Sequence, residues 1–221
     1  MESLASSLKR FCAGIVTMVA IAAISPAAYA LRDYDQRSSQ SRNAMELRRV
    51  ESLMAPLIRV ADNPDRFAQI NIQIIDDVKV NAGTSGGGQF LVTTGLLQQF
   101  NDGELRGVLA HEIAHEDLGH AVKQQLVNVG LSIGAALLER VFPGSGNLTP
   151  VAGSIIAASY SRPQELAADR HAVTILQRAG YSKQTMIDAL TRIVDVEGNT
   201  GGGFLSTHPA TDERIRALRQ L

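Results

Sequence analysis

The sequence predicts an α+β domain that is mainly helical, with one small sheet near its start. Apolar residues recur at helical spacing over 43–61, and caps and breakers delimit further helices downstream. Alternation of period two is confined to a short stretch between 70 and 94. A third observation singles out one helix: "HEIAHEDLGH", residues 111–120, holds three of the chain's five histidines.

The 221 residues are 45% hydrophobic and 19% charged, ordinary composition for one globular domain with a sizeable core. A formal net charge of −1 provides no general attraction for nucleic acid, and no nucleic-acid partner is expected. Residues 1–30 differ from the rest. A start ending in Lys9-Arg10 is followed by an apolar run, Phe11 to Ile24, and then by "SPAAYA". This order describes a signal peptide cleaved after Ala30. An uncleaved anchor is the rival, but fourteen apolar residues fall short of the ~20 that span a bilayer. Residues 31–221 would then form a single domain with no cysteine, since Cys12 is the only one. Thiol catalysis and cysteine-ligated zinc are thereby excluded from the mature chain.

Residues 31–43 are polar and read as a loose lead-in. Val50, Leu53, Met54, Leu57, Ile58 and Ala61 then form an amphipathic helical stripe. "INIQIIDDVKVNA" alternates as one or two strands, "GTSGGG" (83–88) reads as a turn or flexible loop, and "QFLVTTGLL" resumes as a strand passing into a short helix. Asn101 and Glu104 form a capping-box pattern opening a helix through about Lys123. A more apolar helix is expected around 124–141. Its stretch Leu126–Leu138 ends at Glu139-Arg140 and reads as a buried helix or as a surface touching a membrane peripherally. Pro163 suits the first turn of a helix stopped by Gly180; another runs from Ser182 to about Gly198, and Thr211 caps a last one.

His111-Glu112-Ile113-Ala114-His115 fits H-E-x-x-H. One helical turn separates the histidines, so both can reach a common Zn²⁺, while Glu112 lies beside the metal as a general base. A third ligand is needed, and two candidates compete. On a continuous helix His120 lies about half a revolution from His111 and points away. Glu165, in "SRPQELAAD", opens a predicted helix fifty residues beyond His115, with Asp169 one turn further on the same face. That pairing suits a ligating carboxylate with a second carboxylate behind it orienting a histidine. Two histidines and a glutamate leave one position open, the catalytic arrangement of zinc.

"HEIAH", "ELAAD" and "STHPATDERI" (206–215), with "NAG…GG" and "VTTGLL" upstream, resemble the gluzincin peptidase family of HtpX, the mitochondrial Oma peptidase and the CAAX prenyl protease. The likeness runs from about Met45 to the C-terminus, and is nearest to small periplasmic or outer-membrane-associated bacterial members. It implies a zincin-like domain with one Zn²⁺ held by His111, His115 and Glu165, Glu112 as base and Asp169 behind the ligands. It also implies that His208 and Arg214 approach the site, either steadying an oxyanion or, for His208, capping the metal. Relatives tend to carry N-A-F-x-x-P-G-G where this chain has Asn81-Ala82-Gly83 and then "TSGGG". The strand Phe90, Leu91, Val92, Thr93, Thr94 is expected to be the edge that pairs with an extended substrate.

The resulting expectation is a zinc endopeptidase of the bacterial envelope, periplasmic or associated with the outer membrane, acting on misfolded or unassembled envelope proteins. The rival is a zinc-bound chaperone that holds such proteins without cutting them. Glu112 argues against it, because metal retention alone does not need that residue.

Overall fold

The computed structural model describes residues 26–129, 159–198, 203–209 and 212–221. Two units divide the chain at Gln40/Ser41. In the first, residues 26–40 are helical, the beginning of α1 (Pro26–Ile58), with an Arg37–Asp33 ion pair one turn apart. The loose lead-in expected at 31–43 is thus helix, since no glycine or proline interrupts it and that pair supports it. All that follows concerns the second unit. Most of the segment read as a signal, and most of the apolar stretch after Leu126, lie outside the described residues.

The predicted stripe on α1 is the buried one: Val50, Leu53, Met54 and Leu57 enter the core. Arg49, on the same helix, donates to the carbonyls of Leu97 and Phe100 and pairs with Asp102, joining α1 to the elements that lead into the metal helix.

Three strands make one sheet: β1 (Asn71–Ile75), β2 (Ala82–Gly86) and β3 (Gln89–Thr93), in the order β1-β3-β2. β3 runs parallel to β1 and antiparallel to β2. Two expectations are corrected here. Residues 83–86 of the supposed flexible loop belong to a strand, buried except at Gly86. Phe90–Thr93 is the central strand, with Thr94 already beginning α2 (Thr94–Gln99), so its backbone has no free edge for a substrate. Thr93 is fully buried, and its hydroxyl caps α2, accepts from Asn81 N and donates to Lys79 O.

Helix α3 (Asp102–Asp117) starts on the predicted capping box: Asn101 Oδ1 accepts from Gly103 N and Glu104 N, and the Glu104 carboxylate accepts from Asn101 N. It does not continue to Lys123. Gly119 takes φ +67°, a conformation costly for any residue with a β-carbon, and α4 (His120–Val129) begins afresh. Arg66 closes over that glycine: a β-carbon there would stand 2.9 Å from its guanidinium. α5 (Arg162–Arg178) and α6 (Gln184–Glu197) both pack along α3. A four-residue helix that the sequence reading missed, α7 (Phe204–Thr207), and α8 (Asp212–Gln220) complete the described elements.

Asp117 anchors the end of α3. Its carboxylate accepts from the backbone N–H of Asp62 and Asn63, from the Asn63 side chain, and from His171 Nε2 at 2.6 Å. Burial opposes ionisation, but His171 and the amide donors outweigh it and hold the carboxyl at about 2. Its folded value lies below the unfolded one of 3.8, so its stabilisation is present above about pH 4 and lost as pH falls towards 2. Asp117→Ala strands two backbone donors and one imidazole; a loss of about 2–3 kcal/mol is expected in urea unfolding at pH 7. The difference from wild type should shrink as the titration is repeated towards pH 2.

Candidate metal centre

The central portion of α3 is buried almost all round: Leu105, Leu109 and Ile113 fill the core, while His111, Glu112 and His115 are at most 1% exposed. The four-residue step brings the two rings together, with Nε2 of His111 and Nε2 of His115 3.0 Å apart. The third participant comes from α5. Its first turn carries Pro163, and the Gln164 side chain accepts from Ser161 N, so Glu165 is delivered one turn in, against α3. Its carboxylate oxygens stand 3.4 Å from His111 Nε2 and 3.2 Å from His115 Nε2.

The outer nitrogens of the rings show which atoms face inward. His111 Nδ1 lies 3.1 Å from Asp169 Oδ1, and a carboxylate only accepts, so Nδ1 carries a proton and Nε2 is the nitrogen turned to the cluster. His115 Nδ1 lies 3.1 Å from His120 Nδ1. Burial, with Lys123 nearby, lowers His120 to about 4 and keeps it neutral near pH 7, able to accept the His115 Nδ1 proton. His115 Nε2 then points inward with its lone pair. Two ring nitrogens and a carboxylate converge at 3.0–3.4 Å, where one cation can be held by all three. Tetrahedral bonds of ~2.0–2.1 Å place ligand atoms about 3.3 Å apart, so the spacing and the N,N,O donor set fit Zn²⁺.

Electrostatics agree with that donor set. At His111 burial opposes the charge, but Glu165 and Asp169 override it and raise the ring to about 9. Burial and the neighbouring His111 push His115 well down. Burial likewise opposes ionisation of Glu165, yet His208 and His111 hold it far below the carboxylate range. Glu112 goes the other way, raised chiefly by burial. Neither of its oxygens receives a hydrogen bond from the described residues, and the nearest partner is His208 Nε2 at 3.4 Å. A carboxylate buried on those terms is expensive.

His208 joins the cluster: a ligand-type atom from each of His111, His115, Glu165 and His208 lies within 4.8 Å of the others. Its Nδ1 is 3.1 Å from Glu165 Oε1, and Phe204 of α7 stacks on its ring. α7 is itself held by Glu197, whose carboxylate accepts from Phe204 N and Leu205 N. Arg214 also approaches the site, from behind the ligands. Its guanidinium grips Asp169 through two 2.7 Å bonds, approaches Glu165 and donates to Pro209 O. Those acceptors hold the guanidinium behind the ligands. Asp169, gripped in this way, sits at about 2: burial opposes ionisation and Arg214 outweighs it.

Sequence reasoning missed Tyr160, whose ring centre lies 3.9 Å from that of His115 and whose hydroxyl donates to Thr84 O. It also missed Glu116 and Glu197. No spacing rule marks them, because their partners belong to other elements. His120 does not point away as a continuous helix would have it. The break at Gly119 folds it back onto the far nitrogen of His115, outside the ligand set.

A helix carrying two histidines and a free carboxylate, met by a glutamate from a second helix, defines a zinc metallopeptidase-type centre. The profile of peptidase family M48 matches residues 44–221, and the chain belongs to that family, which uses zinc. Its curated relatives include the metalloprotease YcaL of Escherichia coli, 26% identical over 75% of this chain and 67% of the relative. The mitochondrial metalloendopeptidase OMA1 of Arabidopsis thaliana is 28% identical over 67% of this chain and 31% of its own length. The beta-barrel assembly-enhancing protease of Yersinia pestis is 30% identical over 66% of this chain and 33% of its own. The chain thus spans from about a third to about two thirds of these relatives.

Without metal, His111 keeps an extra proton up to about pH 9, and zinc must displace it. Zinc uptake at pH 7.5 should therefore release close to one proton per site, with apparent affinity rising about tenfold per pH unit below 9. Calorimetry in buffers of different ionisation enthalpy measures the number; zero release contradicts the assignment.

Proposed function

We propose that the chain is a zinc-dependent endopeptidase of the bacterial envelope that hydrolyses misfolded or unassembled envelope proteins. The observation that carries the proposal is Glu112, a buried carboxylate that accepts no hydrogen bond from the described residues, beside a group of atoms able to hold a metal. Zinc, when bound by His111, His115 and Glu165, supplies a Lewis acid that activates water and polarises the scissile carbonyl. Glu112 takes the proton of the attacking water and passes it to the leaving amine. Its raised affinity for protons suits both halves of that task. His208, beside Glu112, donates to the oxyanion that forms on the carbonyl. The substrate lies extended along β2, one of the two outer strands of the sheet and the one packed against α3. Backbone pairing of that kind selects unfolded segments with little regard to sequence.

Export rests on the signal pattern of residues 1–30, and places the enzyme in the periplasm or against the outer membrane. No helix among the described residues is long and apolar enough to cross a membrane. The name of the Yersinia relative, a beta-barrel assembly-enhancing protease, supports envelope proteins as the substrate class.

Glu112→Gln is expected to retain zinc and to lose at least about 10³-fold in cleavage of an unfolded envelope protein. Equal cleavage by wild type and variant, or none by either, would turn the choice to a holding chaperone. His208→Ala should lower kcat by about 10²–10³ with zinc content unchanged. A rise in activity would instead mark His208 as a cap on the metal.

A further inference from the structure

We propose that Glu116 is a positioning residue for substrate: it sets where the pairing strand β2 lies over the metal helix. The inference rests on the peptidase reading and on β2 as the substrate's edge.

Glu116 follows the ligand His115 in α3 and is 1% exposed. Its carboxylate reaches the sheet. Oε2 accepts from the Thr84 hydroxyl at 2.7 Å, and Oε1 accepts from Gly88 N at 3.1 Å. The Thr84 hydroxyl in turn accepts from Gly86 N. One carboxylate therefore holds both ends of the turn Gly86-Gly87-Gly88, three residues with φ of +90°, +64° and +74°. A turn of three glycines has little stiffness of its own. At Gly88 stiffening by a side chain is closed off, because a β-carbon there would stand 2.0 Å from Gln69 O. The turn is braced instead by a carboxylate on the metal helix.

Thr84 is held a second time. Tyr160, stacked on His115, donates its hydroxyl to the Thr84 carbonyl at 3.3 Å. Two successive residues of α3, a ligand and its neighbour, thereby locate the same strand residue. A peptide lying on β2 is placed relative to Glu112 by that link, and a misplacement of ~1 Å can cost ~10²-fold in rate.

The test uses the full chain, zinc-loaded, in the Glu112→Gln background, with fluorescein-labelled β-casein as the unfolded probe. Adding Glu116→Gln or Thr84→Val should weaken binding about tenfold, the order expected for one charge-assisted hydrogen bond. Zinc stoichiometry should stay unchanged, and amide exchange over 82–88 should accelerate while α6 keeps its protection. Thr84→Ser, which keeps the hydroxyl, should bind within about twofold of the parent. With Glu112 restored, kcat should fall as well as KM rise, because the bound peptide is displaced from Glu112. Thr84→Val removes a single hydroxyl and carries the test even where Glu116→Gln does not fold. Unchanged affinity in Thr84→Val and Glu116→Gln overturns the inference and leaves the peptidase reading standing. No binding by any of the chains, the Glu112→Gln parent included, overturns both. Loss of zinc from Glu116→Gln also overturns it, by making Glu116 a support of the ligands.

Discussion

The metal centre depends on the buried ion pair between Arg214 and Asp169. Three ligand side chains from two helices must face one point. Asp169, gripped through both oxygens by Arg214, holds the outer nitrogen of His111 and so turns its inner one to the cluster. The same guanidinium approaches Glu165 and binds Pro209 O, next to His208. One cation from α8 thereby orders groups on α3, on α5 and in the segment after α7. A guanidinium buried to 1% exposure is tolerable only when it is met on several sides by acceptors, as it is here.

The same economy of partners separates the two kinds of carboxylate around the centre. Asp169, Asp117, Glu116 and Glu197 each accept two or more described bonds and act as braces. Glu112 accepts none, and it is the residue that the chemistry leaves free to take a proton. Its cost is borne by the packing of α3, where Leu105, Leu109 and Ile113 are fully buried around it. Stability and reactivity are thus divided along one helix, between its apolar stripe and its polar face.

Much of the fold was legible because its signals are local. The Asn101–Glu104 capping box, Pro163 in the first turn of α5 and the stripe on α1 each act within one or two turns. The errors fell where local and distant terms compete. Residues 83–86 have the composition of a loop, yet they pair with β3 and are tied to Glu116 across 32 positions. The short strand β3 reads equally well as an edge or a centre, because side-chain alternation carries no record of how many neighbours a strand has. The α3 helix was extended past Gly119 for lack of any sequence sign that Arg66 would close over that glycine.

The sequence by itself determined the candidate ligand types, their one-turn spacing and the carboxylate between them, because a helix converts fixed spacing into fixed geometry. Asp169 one turn beyond Glu165 follows from the same rule. Only the tertiary structure decided that Arg214 braces the ligands, that His120 backs His115, and that β2, not β3, borders the site. These depend on which elements meet, and that is settled by burial of apolar faces and by partners for buried charges, summed over the whole chain.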